Sequence, residues 1–377
     1  MVKENIIFST TRQWNPGDEF ILKGITNLLD DLNFKYNPII FNKSPAISKS
    51  FDFINPAKKV SLFKNTHWSN PVGMILNSFL NIDHLDNSFS RKHSKTKWVE
   101  KIIIAGTPEI FSFRHIPLVR YAHKYQIPLF LLGIGLPKDK DRLSKMRLTS
   151  GFLKEAKLIL TRNTSSDLKR IQILNPHTYY TGCPALFCSR NEKIVFSKKN
   201  HKIGIIFSFP ESVAGNNLNK KDFEKIVCLI NSLKEYATKN NIKLHFIFHY
   251  IDELHEINNN YSYLKELQNG GDVHYSFNSE SYEKIYQNFD IIISTRVHGN
   301  GLASSMGIPN IALTHDERAT TVDSFKSKKF SISKVSAEEL TNTVDKMIKN
   351  LPEISKDLLR NKSERKKVWL NYLKTYL

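Results

Sequence analysis

The apolar residues in the first half of the chain form short continuous runs that alternate with longer amphipathic segments. The first run, "NIIFST" at 5–10, precedes "EFILKGITNLLDDL", where apolar residues recur with the spacing of one helix face. Further runs at 101–106, 127–135 and 156–161 have the length of buried strands. Strands that alternate with helices predict a parallel sheet covered by helices on both faces.

The second half of the chain repeats this alternation. Strand patterns occur at 201–209, 242–250, 272–277, 290–295 and 309–314. A long amphipathic helix is predicted between the first two of these strands, and the polar stretch 189–200 separates the two series. We therefore predict an α/β fold of two doubly wound, Rossmann-like domains that face each other across a cleft.

The predicted boundaries give an N-terminal domain at 1–190, a C-terminal domain at 191–345 and a basic C-terminal helix at 346–377. Residues 42–98 mix Ser, Asn and Pro with apolar islands, so we predict an insertion in the N-terminal domain. One side of the last helix carries Leu358, Leu359, Trp369, Tyr372, Leu373 and Tyr376. Two interpretations of this helix remain open: it packs on the rest of the protein, or it contacts an anionic membrane surface.

Composition narrows the classes of partner. The 377 residues carry a formal net charge of +19, which favours nucleic acid, an anionic membrane or phosphorylated and acidic substrates. Motifs typical of nucleic-acid binding are absent from the sequence, so we expect no nucleic-acid partner. The three cysteines show no metal-ligand spacing and predict a reducing cytosol, and no segment resembles a signal peptide or a bilayer-spanning run.

The segment "DIIISTRVHGNGLASSMGIPNIALTHDERATT" at 290–321 contains the main candidate site. We predict that Arg296, Val297 and His298 lie in the turn after a buried strand and that "NGLASSMG" then forms a short helix. The first turn of such a helix presents free backbone N–H groups and a positive dipole end. Together with a guanidinium and an imidazole, this arrangement suits a small phosphorylated acid. The alternative is a structural arginine that pairs with a carboxylate, beside a histidine that caps a turn.

Other polar residues also follow predicted strands. Arg162 comes directly after the strand at 156–161. Because Arg162 and Arg296 both follow the carboxyl end of a strand, one in each domain, we predict that they point into the same interdomain cleft. Asp18 either caps the first helix or serves as a base or hydroxyl-binding group. His249 and Asp252 follow the strand at 242–250, where loop charge is the alternative explanation. The chain contains no dinucleotide fingerprint, Walker loop or HExxH motif.

Four segments in this order resemble the polysaccharide pyruvyl transferase family: "NPGDEFILKG", "LFLLGIGLP", "LILTRNTSSDL" and "STRVHGNGLASSMGIPNIAL". The resemblance covers roughly residues 5–325, without the insertion at 42–98. It implies a two-domain fold like that of GT-B glycosyltransferases. It also implies transfer of a pyruvyl group from phosphoenolpyruvate onto two hydroxyls of a sugar, which forms a cyclic ketal.

The resemblance also assigns roles to single residues. It assigns phosphoenolpyruvate binding to Arg162, Arg296, Val297 and Arg318, and it assigns catalysis to His298 and Asp18. Acceptor or cleft candidates, taken from their positions in the sequence and not from the resemblance, are Asn15, Glu109, His249 and Asp252. Arg318 stands where many members have a lysine, Asn163 replaces a usual aspartate, and "AGTPEIF", which contains Glu109, replaces a loop richer in glycine.

The implied partners are phosphoenolpyruvate and a sugar or lipid-linked oligosaccharide that is a precursor of a capsular, exopolysaccharide or other cell-envelope glycan. No metal or other cofactor is implied. The expected location is the cytoplasm, with peripheral contact at the inner face of the cytoplasmic membrane through the basic surface. Two alternatives stay open: a GT-B-type glycosyltransferase that uses a nucleotide sugar, and a non-catalytic module that binds glycan or lipid.

Overall fold

The computed structural model describes residues 3–10, 16–42, 52–54, 99–106, 116–135, 150–164, 167–193, 195–212, 218–276, 278–315 and 319–377. Contacts divide the chain into two compact units. Unit 1 comprises Met1–Gln13, Ile25–Pro184 and Trp369–Leu377, and unit 2 comprises Trp14–Gly24 and Ala185–Val368.

Unit 1 is built on a parallel sheet with the strand order β3-β2-β1-β4-β5-β6-β7. Its strands are β1 (Glu4–Thr10), β2 (Tyr36–Asn42), β3 (Asp52–Ile54), β4 (Lys101–Ala105), β5 (Leu129–Ile134), β6 (Leu158–Thr161) and β7 (Thr178–Tyr180). The helices described between them are α1 (Pro16–Asp31), α2 (Ile116–Tyr125), α3 (Ser150–Glu155) and α4 (Asp167–Leu174). The part of α1 up to Gly24 belongs to unit 2. Apart from β3, the predicted insertion at 42–98 lies almost entirely outside the described residues.

Unit 2 is built on a parallel sheet with the strand order β10-β9-β8-β11-β12-β13. Its strands are β8 (Lys202–Ile206), β9 (Lys243–Phe248), β10 (Val273–Tyr275), β11 (Ile291–Ser294), β12 (Asn310–Thr314) and β13 (Lys328–Ser331). Its helices are α5 (Lys220–Lys239), α6 (Ile251–Asn259), α7 (Ser279–Tyr286), α8 (Val297–Ser305), α9 (Ala319–Val322), α10 (Ala337–Lys349) and α11 (Leu351–Tyr376), with 3₁₀ turns at Pro184–Phe187, Ser262–Gln268 and Asp323–Phe325. Pro184 and the end of α11 from Trp369 onward belong to unit 1. The prediction of an α/β fold with two Rossmann-like sheets is confirmed.

The sheets form because their central strands are apolar on both faces. In β11, every residue of "IIIS" is buried, as is every residue of "LFLLGI" in β5. Helix α5 covers unit 2 with one apolar side, and Asn219 caps its first turn by accepting a hydrogen bond from the Asp222 N–H at 2.8 Å.

The strand order determines where a ligand is expected. In unit 2 the order reverses between β8 and β11, and in unit 1 it reverses between β1 and β4. Open parallel sheets bind ligands outside the carboxyl ends of the strands at such a reversal. The residues that follow β11 therefore occupy the favoured ligand position of unit 2.

Helix α11 packs its apolar side into the protein. Leu358, Trp369 and Leu373 are buried, and Trp369 Nε1 donates to the carbonyl oxygen of Thr181 at 3.2 Å. The packing interpretation of the last helix therefore holds for these three side chains. Across the described residues, none of the helices combines the length and apolar character needed to cross a bilayer.

Candidate functional site

Arg296 lies at the carboxyl end of β11, beside the strand-order reversal of unit 2. The Thr295 N–H donates to the carbonyl oxygen of Ile206 at 2.9 Å, which ties the end of β11 to the end of β8. Arg296 is the N-cap of α8, with extended backbone angles of φ −92° and ψ 120°. The amino end of α8, with its positive dipole end, therefore begins directly after a cationic side chain.

Two buried polar side chains hold this backbone. Ser294 Oγ accepts from the Arg296 N–H at 2.9 Å and donates to the Arg296 carbonyl at 3.0 Å. Asn300 Nδ2 donates to the same carbonyl at 3.1 Å and to the Ser294 carbonyl at 3.3 Å. Because these bonds close a local network, the direction in which Arg296 leaves the strand is well defined.

Glycines bring α8 close to its neighbours. A Cβ atom on Gly299 would lie 2.9 Å from Ser294 Oγ and 3.2 Å from the Tyr286 hydroxyl. A Cβ on Gly301 would lie 2.9 Å from the Phe325 ring and 3.0 Å from Ala185. The two glycines of "HGNG" therefore allow close packing of the helix against its neighbours.

The Arg296 guanidinium forms a buried ion pair with Glu253, the third residue of α6. Arg296 is 8% exposed and Glu253 is 0% exposed, and the guanidinium lies over the Tyr250 ring, 4.6 Å from its centroid. Burial alone would lower the pKa of Arg296, but the Glu253 carboxylate raises it above its ordinary value. The side chain therefore keeps its charge.

Glu253 is the functional candidate that the sequence did not reveal. Its second carboxylate oxygen accepts the N–H groups of His249 at 3.1 Å and Tyr250 at 3.2 Å, so one side chain caps α6 and holds Arg296. The sequence feature that indicates Glu253 is its place in the first turn of the helix that follows β9. We singled out its neighbour Asp252 instead, which accepts from Ser212 Oγ at 2.9 Å.

Val297 and His298 lie in the first turn of α8, and our prediction that they form the preceding turn is wrong. The helix begins at Val297, three residues before the predicted start at Asn300, because tight packing tolerates glycine inside this helix. Both side chains are half-buried, so they reach solvent beside the buried arginine. His298 therefore stands one turn or less from the amino end of a helix, where an anion is favoured.

A sequence comparison now adds to this geometry. The model of one family, described as polysaccharide pyruvyl transferase, matches residues 15–317. The chain belongs to the polysaccharide pyruvyl transferase family. The family comprises transferases for polysaccharide pyruvylation, and the match includes the whole of β11 and α8. No curated protein matches the chain.

Solved structures share the fold of this pyruvyl transferase family member at low sequence identity. UDP-GlcNAc 2-epimerase from Neisseria meningitidis, bound to UDP-GlcNAc, is 13% identical with a TM-score of 0.62, over 99% of this chain and 100% of that one. A glycosyltransferase from Rickettsia africae is 12% identical with a TM-score of 0.56, over 100% and 97% of the two chains. UDP-GlcNAc 2-epimerase from Methanocaldococcus jannaschii is 13% identical with a TM-score of 0.53, over 92% and 93%. At these identities the likeness establishes the fold alone.

The structure places several predicted site residues of this family member in unit 2. These are Asp18, His249, Asp252, Arg296, Val297 and His298. Arg162 belongs to unit 1, where it is 3% exposed and its N–H donates to the Ile134 carbonyl at 2.9 Å. Asn15, Glu109 and Arg318 lie outside the described residues.

Asp18 is the third residue of α1, so the prediction that it caps this helix is wrong. The helix starts at Pro16, since proline has a suitable fixed φ and lacks an N–H group that the first turn would leave unbonded. Asp18 is 8% exposed and sits in the first turn, where its charge complements the helix dipole.

His249 is buried among aromatic rings. Its ring centroid lies 4.8 Å from that of Tyr282 and 5.9 Å from that of Phe20, and its Nε2 is 3.2 Å from the Tyr286 hydroxyl. Burial, and secondarily the Arg296 charge, lowers the pKa of His249 to about 3. The imidazole is therefore neutral throughout the physiological range and is shielded from solvent.

This shift predicts a loss of stability in acid. The pKa is about 6.5 in the unfolded chain and about 3 in the folded protein, so the unfolded state binds more protons between these values. The contribution of His249 is complete above pH 6.5 and falls as the pH drops towards 3, with about 2 kcal/mol lost by pH 5. In His249→Gln, the free energy of unfolding should depend less on pH over this range. Urea unfolding at pH 7.5, 6 and 5 measures the difference, and parallel losses in both proteins would contradict the assignment.

Proposed function

We propose that the protein transfers the pyruvyl group of phosphoenolpyruvate onto two hydroxyls of a sugar in a capsular, exopolysaccharide or other cell-envelope precursor. The products would be a cyclic ketal and phosphate. The observation that carries the proposal is the start of α8 at the carboxyl end of β11, where a buried charged Arg296 directly precedes Val297 and His298.

Phosphoenolpyruvate matches this end of the sheet in charge. A phosphate monoester and a carboxylate together bring about three negative charges near neutrality. A guanidinium offers five N–H donors in a fixed fork, of which the Glu253 contact engages Nη2, and the first turn of α8 adds backbone N–H groups. We assign donor binding to Arg296 and the Val297 backbone, with Arg162 and Arg318 as further donor contacts.

The proposed transfer requires that the methylene carbon of phosphoenolpyruvate receives a proton. A sugar hydroxyl attacks C2 of the donor while His298 protonates the methylene carbon, which becomes the methyl group of the ketal. The C2–O bond to phosphate then breaks, and the second hydroxyl attacks the oxocarbenium-like C2. One hydroxyl proton replaces the proton that His298 gave, and the other leaves with phosphate. We assign to Asp18 the role of a base that accepts a proton from an acceptor hydroxyl.

Glu253 serves in this proposal as a positioning residue. It holds Arg296 Nη2 and, through its other oxygen, the backbone at His249 and Tyr250. The guanidinium is therefore oriented before the donor arrives, which removes part of the entropic cost of binding.

The acceptor is proposed to be a sugar or lipid-linked oligosaccharide at the inner face of the cytoplasmic membrane. Asn15, Glu109 and Asp252 remain its candidate contacts, whereas His249, which is buried among aromatic rings, is withdrawn from this role. The net charge of +19 supports attraction to an anionic surface, at about 1 kcal/mol for each well-placed Lys or Arg.

Incubation with phosphoenolpyruvate and lipid-linked sugars tests the proposal. The expected result is release of phosphate together with a gain in mass of the sugar. Because a ketal resists reagents that reduce free ketones, this gain in mass should persist after such a treatment. A parallel titration compares phosphoenolpyruvate with UDP-GlcNAc, the molecule bound in the Neisseria epimerase structure. Stabilisation by the nucleotide sugar with no response to phosphoenolpyruvate would reject the proposal in favour of a glycosyltransferase.

A further inference from the structure

A cluster of potential metal ligands lies on the edge of the unit 2 sheet, away from α8. His245 is in the first half of β9, His274 is in the edge strand β10, and Asp272 immediately precedes β10. Arg296 follows the carboxyl end of β11, whereas this cluster lies towards the amino ends of its strands. The transfer reaction proposed above gives it no role.

The ligand atoms of the cluster converge. His245 Nδ1 lies 3.2 Å from His274 Nε2 and 3.7 Å from an Asp272 carboxylate oxygen, and one ligand atom from each residue lies within 4.8 Å of the others. Two nitrogens at about 2.0–2.1 Å from a tetrahedral zinc ion are roughly 3.3 Å apart. The spacing of the two histidines therefore already fits a shared tetrahedral ion.

A glycine allows this convergence. A Cβ atom on Gly271 would lie 2.1 Å from the Leu244 carbonyl oxygen and 3.1 Å from the His245 ring. Only a residue without a side chain lets the segment before β10 approach β9 so closely. This approach brings Asp272 beside His245.

The hydrogen bonds identify which nitrogen can accept a metal. The Asp272 N–H donates to His245 Nδ1 at 3.0 Å, so Nδ1 carries no proton, and the proton between the two rings belongs to His274 Nε2. A cation bound at His245 Nδ1 would replace both hydrogens that now face its single lone pair: the Asp272 N–H bond would break, and His274 would carry its hydrogen on Nδ1 instead. Both imidazoles stay neutral in this exchange, as metal ligation requires.

We propose that His245, Asp272 and His274 bind a divalent transition-metal ion of the zinc class. Two imidazoles and one carboxylate suit Zn²⁺, with water as the fourth ligand. His245 is 5% exposed and supplies a rigid buried ligand, while His274 is half-buried and the Asp272 side chain is 78% exposed, which leaves a path for the ion from solvent. The ion would join the edge strand β10 to β9. Lys202 and Lys243 also act on His245, and they weaken cation binding without occupying the ligand atoms.

Metal titration of the full chain tests this site. The exposed Cys228 is another possible zinc ligand, so every protein carries Cys228→Ser, and EDTA treatment precedes the titration. The variants are His274→Gln and Asp272→Asn, which alter the more exposed ligands and spare the buried His245. The matched control is His255→Gln, because His255 is an exposed histidine of the same unit. Circular dichroism in EDTA verifies that each variant is folded.

The readouts are zinc affinity by calorimetry and the visible absorption of bound Co²⁺. We expect about one ion per chain, tetrahedral Co²⁺ bands, and a loss of zinc affinity of at least 100-fold in His274→Gln, since even indirect ligand contacts are worth 10- to 100-fold. Asp272→Asn should lose at least 10-fold, and His255→Gln should bind as the parent does. Equal affinity in the parent and His274→Gln would overturn the proposal, as would the absence of binding in the parent.

Discussion

Replacement of His298 by alanine should lower the rate of phosphate release by about 10²- to 10⁴-fold, the usual contribution of a general acid. His298 is half-buried in the first turn of α8, so its removal leaves no cavity in the core and the fold should persist. The affinity for phosphoenolpyruvate should change by only a few-fold, because Arg296 and the α8 backbone remain. Rates come from a phosphate-release assay, and donor affinity comes from calorimetry.

The matched control for this variant is His255→Ala, which removes an exposed imidazole from α6 in the same unit. It should turn over at the parent rate. A His298→Ala protein with full activity would reject His298 as the acid. Loss of donor affinity equal to the loss of rate would instead make His298 a binding residue.

Replacement of Arg296 by methionine should raise the dissociation constant for phosphoenolpyruvate by about 10- to 100-fold, because charge-assisted hydrogen bonds contribute about 1.5–3 kcal/mol. The variant should also lose about 3–5 kcal/mol of stability, since it leaves the buried Glu253 carboxylate without its cation. Calorimetry measures the first effect and urea unfolding the second.

Unit 2 offers a matched control in a second ion pair. Lys23 pairs with Glu283, which is 5% exposed and also accepts from Ser189 Oγ at 3.2 Å and Asn191 Nδ2 at 3.0 Å. Lys23→Met should therefore lower stability without changing donor affinity. If Arg296 has only a structural role, the two variants will behave alike.

The combined variant Glu253→Gln/Arg296→Met separates the two roles further. It leaves no unpaired charge in the core, so part of the stability lost in Arg296→Met should return. Donor affinity should stay low, because the guanidinium is still missing. Recovery of both properties together would show that the arginine variant bound poorly only because it was poorly folded.

The sequence predicted the sheets well because central parallel strands are apolar on both faces. The run "DIIIST" became β11, and the series of strands in each half became one sheet. Three edge strands, β3, β7 and β13, were not predicted. Each has only three or four residues, and Lys328 and Lys329 of β13 are exposed, so none has a long continuous apolar run.

Predictions failed where contacts distant in sequence decide the structure. Glycines argued for a turn at His298, but tight packing of Gly299 against Ser294 and Tyr286 favours a helix there. The ion pair between Glu253 and Arg296 joins residues 43 positions apart, and no pattern of neighbouring residues in the sequence predicts it. The sequence did anticipate that an arginine in this position pairs with a carboxylate, as the alternative to a ligand contact.

The division of the chain into two units that are discontinuous in sequence constrains how the protein is made. Unit 1 includes Trp369–Leu377, and the buried Trp369 ring belongs to it. A ribosome therefore releases the last part of unit 1 only after all of unit 2 has been synthesised. A fragment cut at Pro184 lacks that closing segment, and a fragment that begins at Ala185 lacks Trp14–Gly24. Neither half contains all the segments of one unit, so we expect the two sheets to fold best as one intact polypeptide.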